Sequence, residues 1–442
     1  LVVRFYNESF SDELKEELQL AGFLGFFSSF VRQVGAIDFH SVRFYDPPRD
    51  DATVITFRDM NFDAWKAFSL RYAEGEKPDG LLVGFTINQA RTPSDVEPEG
   101  PLTENDAIAQ LWPFLDRLCE MEFFSGTVMI AKGDEVLLAA SCGEASKRFH
   151  APVELDTKFN IGSMNKMFTS TAIMQLVDKG LLSVDGPISR YVDETWLPRE
   201  VTDVVTVHHL LSHTSGLGSY FTDEWDAQSR KLYRELDDYK PLFASDTLAF
   251  EPGLQWEYSN SGVFLLGVVI ESVTGENYFD YIRENIYAPA GMKNTDCYDM
   301  DCPIENLAIG YWPSDECAGG WKNNLYEHVI RGGPAGGGFS TAPDLIAFAR
   351  ALEKGLLLSR ASRELMWTEQ FDAERPYGYG YGFSLREGPA GKVVGHGGGF
   401  TGINANLDMF LDKGYIVAVL TNLDGAGAAV DSKIAELLGR VE

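Results

Sequence analysis

Three short stretches of the chain combine residue types that can perform acyl transfer. The first is Ser163-x-x-Lys166, which places a hydroxyl and an amine three residues apart. If a helix begins at the serine, both side chains lie on one face, so the amine can reach the hydroxyl and accept its proton. The second stretch is Tyr258-x-Asn260, and the third begins at His396. Together they predict a nucleophile, candidate bases and hydrogen-bond donors for one site.

Each stretch also has an ordinary structural explanation. Ser163 could cap a helix above a surface lysine, and Tyr258 could be a core tyrosine with a satisfied hydroxyl. His396 could belong to a turn, and the glycines after it to a β-bulge. For Ser163 the following helix favours chemistry, because apolar residues cover nearly its whole circumference as far as Gly180. In a buried helix desolvation favours the neutral amine of Lys166, which can accept a proton.

The elements that must position these residues follow an α+β pattern. A hairpin is predicted over 126–142, shortly before Ser163, and further strands are predicted between 379 and 422. A mostly helical stretch, from about 185 to 345, separates the two sets of strands. We therefore expect one antiparallel sheet built from both ends of this region, flanked by helices, with a helical subdomain inserted.

Residues 1–92 are predicted to form a separate small α+β module. Ser11 can cap an amphipathic helix that continues towards Val31, and strand-like runs follow it. In outline the module resembles the cystatin or nuclear-transport-factor type. Residues 93–102 combine proline, glycine and charge and are the predicted linker to the main domain, 103–442. Because the module holds no catalytic constellation, we expect it to cover the site or to form a homo-oligomer.

Composition excludes several partners and sites. The 37 Lys+Arg against 66 Asp+Glu give a net charge of −29, which repels nucleic acid and anionic lipid surfaces. No apolar run reaches the roughly 18 residues that span a bilayer, and the chain begins at Leu1 without a signal-peptide pattern. The five cysteines show no zinc-ligand spacing, so no metal or other cofactor is expected. The clustering of Cys297, Cys302 and Cys317 would allow a disulfide in an oxidising compartment, and the sequence leaves this open.

In this order and with this spacing, the three stretches resemble the motifs of the penicillin-recognising serine hydrolases. That group includes class C β-lactamases, DD-peptidases, D-aminopeptidases and family VIII carboxylesterases. The flanking sequence agrees, and the resemblance covers about residues 104–440. It implies a β-lactamase/transpeptidase-like fold, a periplasmic or secreted location, and a small ester, amide or short peptide as substrate.

The resemblance gives a role to each residue of the first two stretches. Ser163 is expected to form the acyl-enzyme. Either Lys166 takes its proton, or Lys166 acts as the cation that lets Tyr258 do so as a phenolate. Asn260 is expected to bridge Lys166 and the carbonyl region of the substrate. The sequence leaves the identity of the base open.

The third stretch is expected to lie along the site. By the resemblance, the backbone N–H groups of Ser163 and Gly399 form the oxyanion hole, and Gly398 lets the substrate approach the main chain. Many β-lactamases and penicillin-binding proteins have Lys-Thr-Gly here, whereas this chain has His396-Gly397-Gly398. A neutral imidazole attracts a carboxylate less than an ammonium does. The pattern therefore favours a carboxylesterase or D-amino-acid-directed peptidase over a β-lactamase or DD-carboxypeptidase.

Other stretches are given structural roles or excluded. His213 is expected to hold a loop near the site by hydrogen bonds. The glycine-rich stretch 332–341 lacks the lysine of a phosphate-binding loop, so nucleotide binding is not predicted. No serine lies in Gly-x-Ser-x-Gly, which argues against an α/β-hydrolase, and the intact motifs argue against a silent binding protein of this fold. The pocket is expected to be shaped by aromatic loop residues, namely Tyr220, Phe221, Trp225, Trp312 and Phe400.

Overall fold

The chain forms two compact units. The computed structural model describes residues 1–44, 52–73, 80–90, 92–96, 100–243, 246–314, 316–317, 319–372 and 377–442; residues 97–99 of the predicted linker therefore lie outside the described residues. One unit comprises Leu1–Phe123 with Ala429–Glu442, and the other comprises Phe124–Ala428. All three sequence motifs fall in the second unit, so the site can be described within that unit.

The first unit combines helices with an antiparallel sheet of strand order β1-β2-β3-β4. Its elements are α1 (Val2–Ser9), α2 (Asp12–Glu17), α3 (Leu20–Val34), α4 (Glu104–Glu120), β1 (Ile37–Phe44), β2 (Ala52–Asp59), β3 (Ala64–Tyr72) and β4 (Leu82–Gln89). Aromatic rings from α1, α3 and β4 meet around Phe10, which is fully buried and lies 4.9 Å from the ring of Phe23. The predicted α+β character of the N-terminal segment is confirmed.

The predicted extent of the helix capped by Ser11 was wrong. Ser11 caps a helix by accepting the Leu14 amide at 3.2 Å, but the chain leaves helical geometry at Leu18, before α3 begins. The Tyr6 hydroxyl donates to the Leu18 carbonyl at 2.9 Å, a tertiary contact that local sequence does not reveal. The helix α4 continues through Pro113, although proline usually kinks or breaks a helix, and one face of α4 is buried along its length.

The second unit contains the main sheet. Its strands are β5 (Gly126–Lys132), β6 (Glu135–Cys142), β7 (Glu144–Ser146), β8 (Ala151–Pro152), β9 (Phe159–Asn160), β10 (Tyr311–Pro313), β11 (Trp321–Asn323), β12 (Phe339–Ser340), β13 (Gly378–Tyr379), β14 (Ser384–Gly388), β15 (Gly391–Phe400), β16 (Ile403–Phe410) and β17 (Tyr415–Thr421). The main sheet has the antiparallel order β13-β14-β15-β16-β17-β5-β6. Pairing of β17 with β5 joins the late strands to the early hairpin, which confirms the predicted sheet.

Helices fill the interval between the two sets of strands and flank the sheet. They are α5 (Asn165–Asp178), α6 (Arg199–Thr202), α7 (Val207–Ser212), α8 (Asp223–Ala227), α9 (Lys240–Phe243), α10 (Asn260–Thr274), α11 (Tyr278–Ile282), α12 (Ala288–Ala290), α13 (Ala342–Glu353) and α14 (Arg360–Met366). The last helix, α15 (Ala426–Gly439), follows β17, and its residues from Ala429 onward belong to the first unit. Within α5, Phe168 is fully buried and packs edge-on against Phe348 of α13 at 4.8 Å. Among the described residues, no helix combines the length and apolar character needed to cross a membrane.

The cysteines for which a disulfide was considered are free thiols. Cys297 is buried, Cys302 is exposed and Cys317 is intermediate. No disulfide therefore forms among these three residues. Cys297 instead lies in the core behind α5, where its sulfur accepts a hydrogen bond from Asn165 Nδ2 at 3.3 Å.

Candidate active site

Ser163 lies in a short 3₁₀ turn that leads into α5 and packs directly against β15. Glycine is required on both sides of this contact. Gly162 has φ +48°, and a Cβ there would lie 3.0 Å from the Gly399 nitrogen. A Cβ on Gly398 would collide with the carbonyl oxygen of Ile161. The absence of side chains thus brings the backbone around Ser163 beside the backbone of the third motif, as the oxyanion-hole prediction requires.

Lys166 is fully buried in the first turn of α5, three residues after Ser163, and is surrounded by acceptors. Its Nζ lies 3.2 Å from Ser163 Oγ and 2.9 Å from Asn260 Oδ1, and it also donates to the carbonyl oxygen of Ala335. The Tyr258 ring centroid is 4.8 Å from the same nitrogen. Burial lowers the pKa of Lys166 from 10.5 to about 7. At neutral pH a large share of the molecules therefore holds an uncharged amine beside the serine.

Asn260 begins α10, and its amide is oriented from both ends. The preceding Ser259 caps the helix by accepting the Gly262 amide at 2.8 Å. Asn260 Nδ2 donates to Ser219 Oγ at 3.2 Å, which leaves the carbonyl oxygen of the amide turned towards Lys166. The contact to Lys166 agrees with one half of the bridging role expected for Asn260.

Tyr258 contacts Ser163 and is held from behind by His213. Its hydroxyl forms a hydrogen bond with Ser163, and burial raises the pKa of Tyr258 well above its usual range, so the phenol is neutral. The His213 ring packs 4.4 Å from the Tyr258 ring, and His213 Nδ1 accepts the Ser259 amide at 3.1 Å. His213 therefore fixes the second motif by packing and hydrogen bonding, the role that its sequence context predicts.

His396 is buried and neutral. Burial and the proximity of Lys166 lower the pKa of His396 to about 3. Its Nδ1 hydrogen-bonds to the Gly397 carbonyl, so Nε2 is the atom that accepts from the Tyr379 hydroxyl at 3.0 Å. Neither His396 nor Gly398 is among the described residues that line the cavity, whereas Gly399 is.

A loop with no predicted role completes the surroundings of Lys166. The carbonyl oxygens of residues 333–335 each accept a hydrogen bond from α5. Asn165 donates to the first at 3.0 Å, Thr169 donates to the second at 2.8 Å, and Lys166 donates to the third. We call this set of contacts the carbonyl clamp. Asn165 and Thr169 are two of several buried polar residues of α5, with Ser170 and Thr171, so the sequence of the helix does not distinguish them.

A cavity of about 260 Å³ opens beside Ser163. Its walls are largely aromatic and include Tyr220, Phe221, Trp225, Tyr239, Tyr258 and Phe400. Four of the five predicted pocket aromatics are present; Trp312 is not among the described lining residues. The rings of Phe221 and Phe400 face each other nearly in parallel, with centroids 6.3 Å apart. Among the described residues that line the cavity, Glu327 alone carries a charged side chain.

Comparison with known proteins agrees with this architecture. Residues 119–439 match the Beta-lactamase family. The chain is 31% identical to penicillin-binding protein 4* of Bacillus subtilis over 328 residues, which are 71% of this chain and 71% of that protein.

Solved structures show the same relationship. The penicillin-binding protein from Bacillus halodurans superposes with a TM-score of 0.66 at 32% identity, covering 75% of this chain and 98% of that one. The D-amino acid amidase from Ochrobactrum anthropi SV3, solved with D-phenylalanine, superposes with a TM-score of 0.63 at 25% identity, covering 75% and 98%. With the family match extending over most of its length, the chain belongs to the β-lactamase family of serine hydrolases.

Proposed function

We propose that the protein hydrolyses small carboxylic esters or amides through an acyl-enzyme on Ser163, with Lys166 as the base. The observation that supports this most directly is the hydrogen bonding of Lys166 Nζ. A neutral amine has two N–H donors and one lone pair. The oxygens of Ala335 and Asn260 can take both donors, which leaves the lone pair for the Ser163 hydroxyl at 3.2 Å. The acceptors thus orient the base before the substrate arrives.

The reaction then follows in two balanced steps. Ser163 Oγ attacks the substrate carbonyl carbon while its proton passes to Lys166, and the N–H groups of Ser163 and Gly399 are assigned to the oxyanion. Loss of the alcohol or amine, which leaves with a proton, gives the acyl-enzyme. We assign Tyr258, a neutral phenol hydrogen-bonded to Ser163, to the proton path towards the leaving group. Water then attacks the acyl carbon, releasing the acid and restoring the Ser163 hydroxyl.

The cavity charge favours esters and amides over substrates with a carboxylate. Among the described lining residues there is no lysine or arginine, and the buried His396 is neutral. β-Lactams and peptides ending in a free carboxylate would find no cation there. Similarity to two penicillin-binding proteins keeps β-lactamase or DD-carboxypeptidase activity as the second candidate. The boundaries predicted for residues 1–92 and 93–102, and an oligomeric or covering role for the first of these segments, stay predictions.

Covalent labelling tests the proposal. The protein is mixed with a p-nitrophenyl ester, quenched in acid within the first turnovers and analysed by intact mass and peptide mapping. We expect a burst of p-nitrophenolate, one acyl group per chain, and the acyl group on the peptide that contains Ser163. A fluorophosphonate should occupy the same residue. An acyl group on another serine would contradict the assignment, and the absence of both burst and adduct would favour a silent binding protein.

Loss of one hydrogen bond of the carbonyl clamp should affect catalysis, although the residue changed is not among the described residues that line the cavity. Thr169→Val removes the hydroxyl that holds the carbonyl of residue 334 and keeps the side-chain shape. We expect kcat/KM to fall about fivefold, as for the loss of ~1 kcal/mol of orientation. Because the Ala335 oxygen stabilises the ammonium form most, loosening it should move the acidic limb of the pH profile to lower pH. Steady-state kinetics across pH measure both effects.

Thr171→Val is the matched control, because its hydroxyl donates to the Met167 carbonyl within the same helix, at 2.7 Å, and not to the loop. Both variants lose one buried hydroxyl, so their melting temperatures can be compared directly. Equal pH profiles in both variants and the wild type would contradict an orienting role for the clamp.

A further inference from the structure

Glu327 is fixed in the cavity wall by its backbone, and its carboxylate is left for the solvent or a ligand. Its amide donates to the Asn324 carbonyl at 3.0 Å, and its carbonyl accepts from Arg230 Nε at 3.4 Å. The residue is exposed and lines the cavity beside Ser163. Among the described residues no lysine, arginine or histidine lies within ion-pair distance of this carboxylate, whereas Arg230 pairs with Asp226.

The rest of the cavity contributes no charge to balance this carboxylate. The neighbouring His328 also lines the cavity, and burial lowers its pKa, so its imidazole is neutral. The remaining described lining residues are aromatic, aliphatic, glycine, serine or asparagine. The side chains that line the cavity therefore carry a net negative charge.

The aromatic walls act in the same direction. The faces of Tyr, Trp and Phe rings carry negative potential and attract cations. Tyr220, Phe221, Trp225 and Phe400 line the same cavity as Glu327. A cation entering here meets both a carboxylate and aromatic rings, whereas an anion is repelled by the carboxylate.

Resting on the proposed function, we propose that Glu327 binds a cationic group of the substrate, a primary ammonium carried near the scissile carbonyl. The preferred substrates are then amino-bearing esters or amides, with Glu327 as a specificity-determining residue. An ammonium can pair with the carboxylate while its hydrocarbon part packs on the aromatic walls. Neutral acyl groups can still react at Ser163, but without this contact.

A matched pair of substrates isolates the contact. Phenylalanine p-nitroanilide, tested as each enantiomer, carries the ammonium, and 3-phenylpropanoyl p-nitroanilide replaces it with hydrogen. The quantity measured is the ratio of their kcat/KM values, with the faster enantiomer in the numerator. We expect Glu327→Gln to lower this ratio about tenfold, consistent with a charged hydrogen bond at a partly exposed site. Glu327→Lys should lower it further and should favour the mono-p-nitroanilide of benzylmalonic acid, which bears a carboxylate at the same carbon.

Glu224→Gln controls for the general electric field. Glu224 is an exposed residue of α8 next to the cavity-lining Trp225, and it does not itself line the cavity. The ratio of the two kcat/KM values in Glu224→Gln should match that of the wild type. A pH series adds an independent reading: kcat/KM for the amino substrate should fall above its own amine pKa, about 7.7–8.0 for an α-amino group. The neutral substrate should show no such fall.

The outcomes separate the two proposals. If p-nitrophenyl butyrate is hydrolysed through Ser163 but the ratio is the same in Glu327→Gln and the wild type, the Glu327 proposal is overturned and the proposed function stands. If Glu224→Gln lowers the ratio as much as Glu327→Gln, the effect is one of overall charge and the specific contact is likewise overturned. If no substrate reacts and no adduct forms, the proposed function fails, and this inference fails with it.

Discussion

Ser163→Ala is expected to lower kcat/KM for p-nitrophenyl esters by about 10⁴-fold or more, because no acyl-enzyme can form without the hydroxyl. Any residual rate would come from binding and from the N–H groups assigned to the oxyanion, which the substitution leaves in place. A fluorescent fluorophosphonate should no longer attach to the protein. Steady-state rates and gel fluorescence measure these two losses independently.

Ser170→Ala is the matched control for this loss. Ser170 is fully buried in α5, about two helical turns beyond Ser163 in the sequence. It should retain turnover and labelling, so that a general effect of removing a serine from this region can be separated from loss of the nucleophile. Labelling that persists in Ser163→Ala would assign the nucleophile to another residue.

Lys166→Met is expected to lower kcat/KM by roughly 10³- to 10⁴-fold, within the range for removal of a positioned general base. Methionine fills most of the volume of the lysine stem but cannot accept a proton. In the wild type, kcat/KM should fall tenfold per pH unit below about 7, because Lys166 is then protonated and has no lone pair for Ser163. This limb should disappear from the residual activity of the variant.

Two companion variants decide between the bases that the sequence left open. Lys166→Arg keeps a positive charge but cannot act as a base at these pH values. If Lys166 is the base, the arginine variant should be as inactive as the methionine variant; if it only supports a Tyr258 phenolate, part of the activity should survive. Tyr258→Phe should slow amides far more than p-nitrophenyl esters, whose leaving group needs no proton. Equal losses on both substrates would instead support Tyr258 as the base.

The residues of the three motifs could be found from sequence because their signals are local. Ser163 and Lys166 are one helical turn apart, and the apolar helix that buries them is visible in the composition of residues 163–179. The helix α10 also has a local signal, because Gly275 follows its last residue and takes φ +72° at the C-cap. What the sequence could not decide was the protonation state of each group, because that depends on how deeply the folded chain buries it.

The parts of the site that were not predicted from the sequence depend on contacts between residues that are distant along the chain. The Ala335 carbonyl lies 169 positions from the lysine that it accepts from, and its position is set by the fold of a glycine-rich loop. Glu327 is one acidic residue among 66 Asp and Glu, with no neighbouring pattern to distinguish it. The contact between Tyr6 and Leu18 that separates α2 from α3 is of the same kind. Local propensity describes elements well, but such contacts require tertiary structure.

The buried amine of Lys166 has a consequence for the stability of the fold. Its pKa is about 7 in the folded chain and near 10.5 when exposed, so between these values the unfolded chain binds more protons than the native one. The resulting destabilisation is complete below pH 7 and is lost as pH rises towards 10.5. The loss of folding free energy therefore accumulates while the native Lys166 is still neutral, and it is already complete at the pH where Lys166 becomes protonated in the folded chain. Raising the pH from about 7 to 10.5 should stabilise the fold through this side chain, whereas lowering the pH below about 7 should silence the nucleophile without a further loss of stability from Lys166.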